Sequence, residues 1–499
     1  MKLIIFICFL FAANVVIGQT LVVYPSPKKG FKKESDIYLI SITQNGQKKK
    51  AFVYKTKAGN GLSREWGRQQ NTNLHFVTFS FSGIVTIEVI KLNSSASKAV
   101  IKPNRLGILT GKIIAQDRNR KLTFKLSKAS KLAIEFDDDA KRKNPLIIFA
   151  DTLEKIENIP NRSSNTYEVT ETYGLAQLDA SKNTVYFKPG IYDIGYWDIP
   201  SNIKQVYIEG GAYVIGYLNR SANQIKINGR GIISNEGYPY HYPSKFGVID
   251  DNNKNWYLPI NIKGGERHLI EGITIIESTG YNIELNAENS LIENVKICGF
   301  RFNNDGITII GIGNTINNCF LRVNDDAIVI YASNLVINNC NFWQLQGSVV
   351  QFGWRPHSMS NIAISNCDVL YDEGYDSEGN IGFINAMNHQ KANDRTTVQN
   401  VSISNVYFDT PIIRFLDIRG ERLSTIPTQI PNINQPPWVF KDFKFSNIFF
   451  SQNTAVKPLI YLHGFSTEYP LLNFVFQNIY FNKKKLEQKL KSFRKFVAI

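Results

Sequence analysis

Two short phrases of the chain carry aspartates at a spacing that matters chemically. The first is Asn303-Asn304-Asp305-Gly306-Ile307-Thr308-Ile309. The second, twenty residues on, is Val323-Asn324-Asp325-Asp326-Ala327-Ile328-Val329. That separation matches the length of a repeat in the surrounding sequence. If each repeat is one coil of a stacked sheet, Asp305 and Asp325 are expected one above the other, on strands about 4.8 Å apart. Three carboxylates so close cannot all ionise freely, so at least one is expected to titrate high. A protonated and an ionised carboxyl side by side are what glycosidic bond cleavage requires. Asn-Asp and Asp-Gly are also ordinary turn pairs. What distinguishes these two is their register and the consecutive aspartates of the second.

The elements that must position these residues are read from one recurring phrase: alternating apolar residues, an Asn or another polar residue, then a further apolar pair. It appears as Leu291-Ile292-Glu293-Asn294-Val295, Thr315-Ile316-Asn317-Asn318-Cys319, Val336-Ile337-Asn338-Asn339-Cys340 and Ala363-Ile364-Ser365-Asn366-Cys367, and again at Ser402-Ile403-Ser404-Asn405-Val406, Phe445-Ser446-Asn447-Ile448 and Phe476-Gln477-Asn478-Ile479. Short strands repeating at this period, with no amphipathic helices between them, indicate a solenoid. The expected fold is all-β, a right-handed parallel β-helix, with Asn side chains bonding from coil to coil at one corner. A leucine-rich repeat would show a Leu-x-x-Leu-x-Leu consensus, which is absent. Residues Lys485 to Val497 have helical periodicity and are expected to cover the open end.

In such a solenoid, sites form from the same strand position on successive coils. Tyr281 precedes the Asp305 coil, and Gly347-Ser348-Val349-Val350-Gln351-Phe352-Gly353-Trp354-Arg355 follows the Asp325-Asp326 coil. One surface is therefore expected to carry Tyr281, the three aspartates, Gln351 and Trp354, with Asn304 and Arg355 completing the sugar-binding set. Glu277 and Glu284 are secondary acids.

Residues 20 to 150 alternate differently. His75 to Phe81 and Ile84 to Val89, joined by Ser82-Gly83, read as a hairpin. Leu109 to Ala115 and Lys121 to Leu126 read as another, around Asp117-Arg118-Asn119. Several short strands of this kind suggest a β-sandwich. Asp137-Asp138-Asp139 reads as a strand-ending turn. The expected organisation is a signal peptide at 1–18, a sandwich at 19–155, a polar linker at 156–180 and the β-helix at 181–499. The signal rests on Lys2, the apolar run Leu3 to Val16, which is too short for a comfortable span, and small Gly18.

Hydrophobic residues make up 43% of the 499-residue chain, ordinary for a globular protein. Its net charge of +15 invites a nucleic-acid reading. The basic residues are scattered, however, as at Lys28-Lys29 and Lys141 to Lys143, with no aromatic-interleaved basic motif. The expectation is a polysaccharide partner, no nucleic acid and no membrane insertion, with oligomeric state left open. Cys298, Cys319, Cys340 and Cys367 lack zinc spacing. The last three share one repeat position, as a ladder of buried free thiols would. No metal or cofactor is expected.

The block Asn304-Asp305-Gly306-Ile307, Asn324-Asp325-Asp326-Ala327 and Val349-Val350-Gln351-Phe352-Gly353-Trp354-Arg355-Pro356 resembles the centre of glycoside hydrolase family 49, the family of dextranases and isopullulanase, in the polygalacturonase-like clan. The likeness extends back to Tyr186-Phe187-Lys188-Pro189-Gly190-Ile191-Tyr192 and Gln205 to Val214. It implies an inverting hydrolase, which the N-terminal signal would make secreted or periplasmic, in which Asp325 is the general acid while Asp305 and Asp326 activate water. The related polygalacturonases carry His-Gly and Arg-x-Lys motifs that bind uronic acid. Here Gln346-Gly347 stands in place of His-Gly, and no Arg-x-Lys follows, which argues against pectin. The second phrase continues as Ala327-Ile328-Val329-Ile330-Tyr331, without the Lys usual in dextranases. The substrate implied is an α-glucan, dextran first and pullulan second, with a sulfated galactan as a further option. A polysaccharide lyase and a non-catalytic glycan-binding solenoid are the readings from other classes.

Overall fold

The computed structural model describes residues 20–498 apart from 60–71, 110, 172–173, 222, 239–257, 302, 355–356, 375–379, 389–394, 424–436, 452–457 and 486–496. The expected signal segment, Arg355, and all but the ends of the expected C-terminal helix lie outside the described residues.

The N-terminal part is a sandwich of a six-stranded and a five-stranded sheet. Tyr38–Gln44 shows why: alternate residues are buried along it, so one face packs and the other meets solvent. Ile40, Ile42, Val77, Phe79, Ile87, Phe124 and Ile148 fill the space between the sheets. The expected hairpin around Ser82-Gly83 does not form. Asn73–Phe81 pairs with Leu21–Val23, Tyr54–Lys57 and Leu146–Asp151, whereas Val85–Lys91 pairs with Tyr38–Gln44 and Asn119–Leu126 in the other sheet. The turn carries the chain across the sandwich rather than back along one sheet. The second expected hairpin does pair, Ile114–Gln116 against Asn119–Leu126. Asp137–Asp139 is a single 3-10 turn after Ser130–Phe136.

From Thr166 onward the chain forms one sheet of twenty-nine strands taken in sequence order. Through the central coils each strand pairs in parallel with the third strand on, so three strands make a coil. This is a right-handed parallel β-helix. It begins within the expected linker, because Thr166–Glu168 already pairs with Thr184–Phe187.

Its stability follows from stacking like on like. Ile270, Ile292, Ile316, Ile337, Ile364 and Ile403 form one column, continued by Phe445 and Phe476. All but Phe476 are fully buried, each removing on the order of 2 kcal/mol of apolar exposure. Two residues on, Asn294, Asn318, Asn339, Asn366, Asn405, Asn447 and Asn478 turn the chain at φ between 53° and 56°. Asn tolerates this left-handed conformation better than most residues. Side chains link successive coils: Asn405 Nδ2 donates to Asn366 Oδ1 at 3.1 Å, Asn447 to Asn405 at 3.0 Å and Asn478 to Asn447 at 3.1 Å. Cys319, Cys340 and Cys367 follow this corner inward as free, buried thiols.

The six-stranded sheet docks on the β-helix. Phe76, Ile147 and Phe149 pack with Tyr213, Ile276, Phe320 and Trp343. Buried charges are paired across the joint, as burial demands: Lys296 Nζ donates to Asp151 Oδ2 at 2.6 Å and to Gly272 O at 2.7 Å. Arg322, 2% exposed, donates to Ala58 O and Gly59 O of the sandwich and to Gly299 O of the β-helix, at 3.0–3.3 Å. Gly299 begins the turn that leads into Asp305, and Arg322 lies three residues before Asp325.

Candidate active site

Three consecutive coils build the site. The strands Ile307–Ile309, Ile328–Ile330 and Ser348–Gln351 run in parallel register, Ile307 opposite Ile328 and Ile328 opposite Val350. Two residues before those partners, Asp305 faces Asp326, and Asp326 faces Ser348. Ile283 opposite Ile307 brings Tyr281 into the same column. The expected stacking of Asp305 on Asp325 is thus out by one residue. Asp326 is the in-register partner, and its carbonyl accepts the Gly306 N–H at 2.8 Å. Asp325 stands in the next column, between Asn304 and Gly347. Gly347 has to be glycine: a Cβ there would lie 2.4 Å from the Asp325 carbonyl carbon and 2.7 Å from Asp326 N.

The three carboxyls are held differently. Asp326, fully buried, is surrounded by donors. Its Oδ1 accepts Ser348 N–H at 2.9 Å, Ser348 Oγ at 2.5 Å and Asn380 Nδ2 at 2.6 Å. Its Oδ2 accepts the Trp354 indole N–H at 2.9 Å. Asp325 is half-buried, and among the described residues its Oδ1 accepts only the Asp326 N–H, at 3.0 Å. Gln344 Nε2 fixes its peptide carbonyl at 2.5 Å. Asp305 is 2% exposed. Its peptide carbonyl accepts Asn282 N at 2.9 Å and Nδ2 at 2.7 Å, while its carboxyl Oδ1 has no hydrogen-bond partner among the described residues.

Burial pushes all three carboxyls above the ordinary carboxylate range. For Asp305 and Asp325 the rise is large, and like charge adds to it: Asp326 acts on both, and Asp325 acts on Asp305. For Asp326 the bonds from Ser348, Asn380 and Trp354 oppose the rise. Asp326 is therefore the group best equipped to stay ionised, and its charge favours the protonated form of Asp325.

No family model matches the chain. The isopullulanase of Aspergillus niger is 25% identical over 400 residues, 71% of this chain and 70% of that protein. A dextranase from Arthrobacter sp. is 27% identical over 304 residues, 53% of this chain but only 46% of its own length. Dex49A from Penicillium minioluteum superposes with a TM-score of 0.72 at 19% identity, covering 91% of this chain and 90% of that one, and so shares its fold. These likenesses support assignment of the chain to glycoside hydrolase family 49.

In this glycoside hydrolase the residues expected to bind sugar divide. Trp354 is half-buried beside Asp326, its backbone N–H donating to Tyr331 Oη at 3.1 Å. Tyr281, half-buried, lies one coil before Asp305. Asn304 and Gln351 do not present themselves to a ligand. Asn304 is fully buried, with Nδ2 bonded to Gly280 O at 2.6 Å. Gln351 is fully buried, its Nε2 3.5 Å from Asn380 Oδ1 and Asn385 Oδ1. Arg355 is outside the described residues. Glu277 is also structural, accepting Thr56 Oγ1 at 2.8 Å and Lys57 N–H at 3.1 Å from the sandwich. Glu284 lies opposite Thr308, on the outward-facing side of that sheet.

Ser348 and Asn380, both on Asp326, were not expected. Ser348 had a signal, being one coil step beyond Asp326. Asn380 had none, because it lies in an insertion between coils.

Proposed function

We propose that the hydrolase is exported and cleaves an α-linked glucan with inversion, α-1,6-linked dextran first and pullulan second. The relatives named isopullulanase and dextranase support the substrate class. The observation that carries the mechanism is the asymmetry of the carboxyls. Asp326 is held by donors, Asp305 stands beside it with an oxygen unspent on protein, and Asp325 is half-buried with one backbone donor.

In the proposed reaction, Asp325 transfers its proton to the glycosidic oxygen as the bond to the anomeric carbon breaks. Water attacks that carbon from the opposite face. The water's proton passes to the Asp305–Asp326 pair, with Asp326 carrying the charge. No covalent intermediate forms, and every proton has a named source and acceptor.

Proton NMR of a fresh dextran digest tests this. The β-anomer of the new reducing end should appear first, before mutarotation. An initial α-anomer would mean retention and refute Asp305 and Asp326 as water-activating bases. Digestion of dextran and pullulan in parallel, with products separated by size, ranks the substrates. An unsaturated product absorbing in the ultraviolet would instead favour a lyase. The apolar segment Leu3 to Val16 supports export.

A further inference from the structure

The sheet that holds Asp305 and Asp326 continues toward the N-terminal end of the solenoid, and there it carries aromatic rings that the catalytic centre does not use. The strands stay parallel from coil to coil, with Tyr196 and Tyr217 in line with Asn282 and Gly306, next to the column of Asp305. Tyr196 lies opposite Tyr217, Leu218 opposite Ile260, Ile260 opposite Ile283 and Ile283 opposite Ile307. Four strand steps therefore separate Tyr196 from the Asp305 coil, roughly 20 Å.

Side chains mark the same path. Tyr217 and Thr279 share a hydrogen bond between hydroxyls at 3.2 Å, and Thr279 is two residues from Tyr281. The Tyr238 ring meets the Tyr217 ring edge-on at 5.0 Å, and Tyr196 lies 6.4 Å from Tyr217. Tyr238 Oη donates to Asp193 Oδ1 at 2.8 Å. Asp193 also lines a cavity of about 330 Å³ with Thr170, Glu171, Tyr192 and Ile194. Tyr217 is 3% exposed and serves as the base, whereas Tyr196 is 40% exposed, the one aromatic among the large apolar side chains so open in the described residues. A broad exposed ring on a rigid strand, next to an exposed carboxylate already ordered by a phenol, is the combination that recognises a sugar: an apolar face to stack on and an acceptor for hydroxyls.

We propose that Tyr196 and Asp193 form a distal subsite for the glucan chain whose scissile bond lies at the aspartates. The occupant follows from continuity, since the subsite lies on the same sheet of the solenoid as the catalytic carboxyls, one residue out of their column. The proposal rests on the α-glucan reading above and adds that the enzyme gains from substrates long enough to span about 20 Å.

The test compares kcat/KM on a polymer with kcat/KM on the trisaccharide built from the same linkages. Dextran is paired with isomaltotriose and pullulan with panose, and the pair used is the one whose polymer the wild type cleaves. Tyr196→Ala should lower the polymer-to-trisaccharide ratio about 3- to 10-fold through KM. Tyr196→Phe, which keeps the ring, should restore it. An unchanged ratio in Tyr196→Ala overturns the subsite while leaving the α-glucan reading intact. A Phe variant as impaired as the Ala variant overturns stacking. A wild type that cleaves neither polymer overturns the substrate reading, and the subsite with it.

Discussion

Trp354→Phe isolates one bond at the centre of the proposed mechanism. Among the described residues the indole N–H is the donor to Asp326 Oδ2, at 2.9 Å, and the other three donors all reach Oδ1. Phe keeps an aromatic ring in place and deletes only the donor. A hydrogen bond to a charged group contributes about 1.5–3 kcal/mol. That is roughly 10- to 150-fold in the balance between ionised and protonated Asp326. The sign follows from the bond's action, which opposes the rise caused by burial. Without it the Asp326 carboxyl titrates higher. Because the base must be ionised, the acid limb of the pH–rate profile moves toward neutral pH. Below that limb kcat should fall by about 10- to 150-fold. On the plateau above it the loss should be within a few-fold, and KM should change little. Trp354→Ala removes the ring as well and should raise KM about 3- to 10-fold in addition. The assay is the full pH–rate profile of the wild type and both variants, with thermal unfolding as a control for folding. Superimposable acid limbs for wild type and Trp354→Phe would refute the claim that the indole sets the ionisation of Asp326.

Asp325→Asn should cut turnover by about 10²–10⁴-fold with the fold intact, as loss of a general acid does; near-wild-type turnover would remove Asp325 from that role. In Asp326→Asn the residual activity should have its alkaline limb at lower pH, because the Asp326 charge that holds Asp325 protonated is gone; a limb that stays put contradicts that coupling. Asp305→Asn should raise Tm at neutral pH by roughly 2–4 °C and much less near pH 3. The Asp305 carboxyl titrates far higher folded than unfolded, so its contribution is neutral at low pH and becomes a penalty as pH rises above about 4; a lower Tm at neutral pH would count against it. Arg322→Met should lower kcat more than KM, since it removes the donors that tie Ala58 O and Gly59 O of the sandwich to Gly299 O ahead of Asp305; equal loss of Tm with unchanged kcat would reduce Arg322 to a structural role.

What could be read in the sequence was what repeats. Ile292, Ile316, Ile337 and Ile364 are recognisable because each coil buries the same column. Their asparagines are recognisable because each coil turns at the same left-handed corner. Pairing across the sandwich was less legible. Ser82-Gly83 looks alike whether it returns a strand to its own sheet or delivers it to the facing one, and only the packing of Phe79 and Ile87 from opposite sheets decides. The burial of Asn304 and Gln351 was hidden for a related reason. Gln351 lies against Asn380 of an insertion, and insertions carry no period, whereas Asn304 is turned back onto Gly280 O of the preceding coil. Asn380 reaches Asp326 from such an insertion.

The error in register has a mechanistic consequence. The twenty-residue spacing between Asp305 and Asp325 suggests that those two are stacked, but the strand pairing sets Ile307 against Ile328 and so Asp305 against Asp326. Asp325 and Asp326 lie in the bend that leads into the strand Ile328–Ile330, and only Asp326 is in register with Asp305. The pair Asp325-Asp326 therefore offers one carboxyl within the column of Asp305 and one outside it. Two carboxyls in one column, one of them held by four donors, suit the sharing of a water and its proton. A third in the neighbouring column, raised by burial and by the charge of Asp326, suits delivery of a proton from another direction. A single aspartate at either position would give a base without an acid or an acid without a base. The consecutive pair therefore has a chemical reason that spacing alone does not reveal.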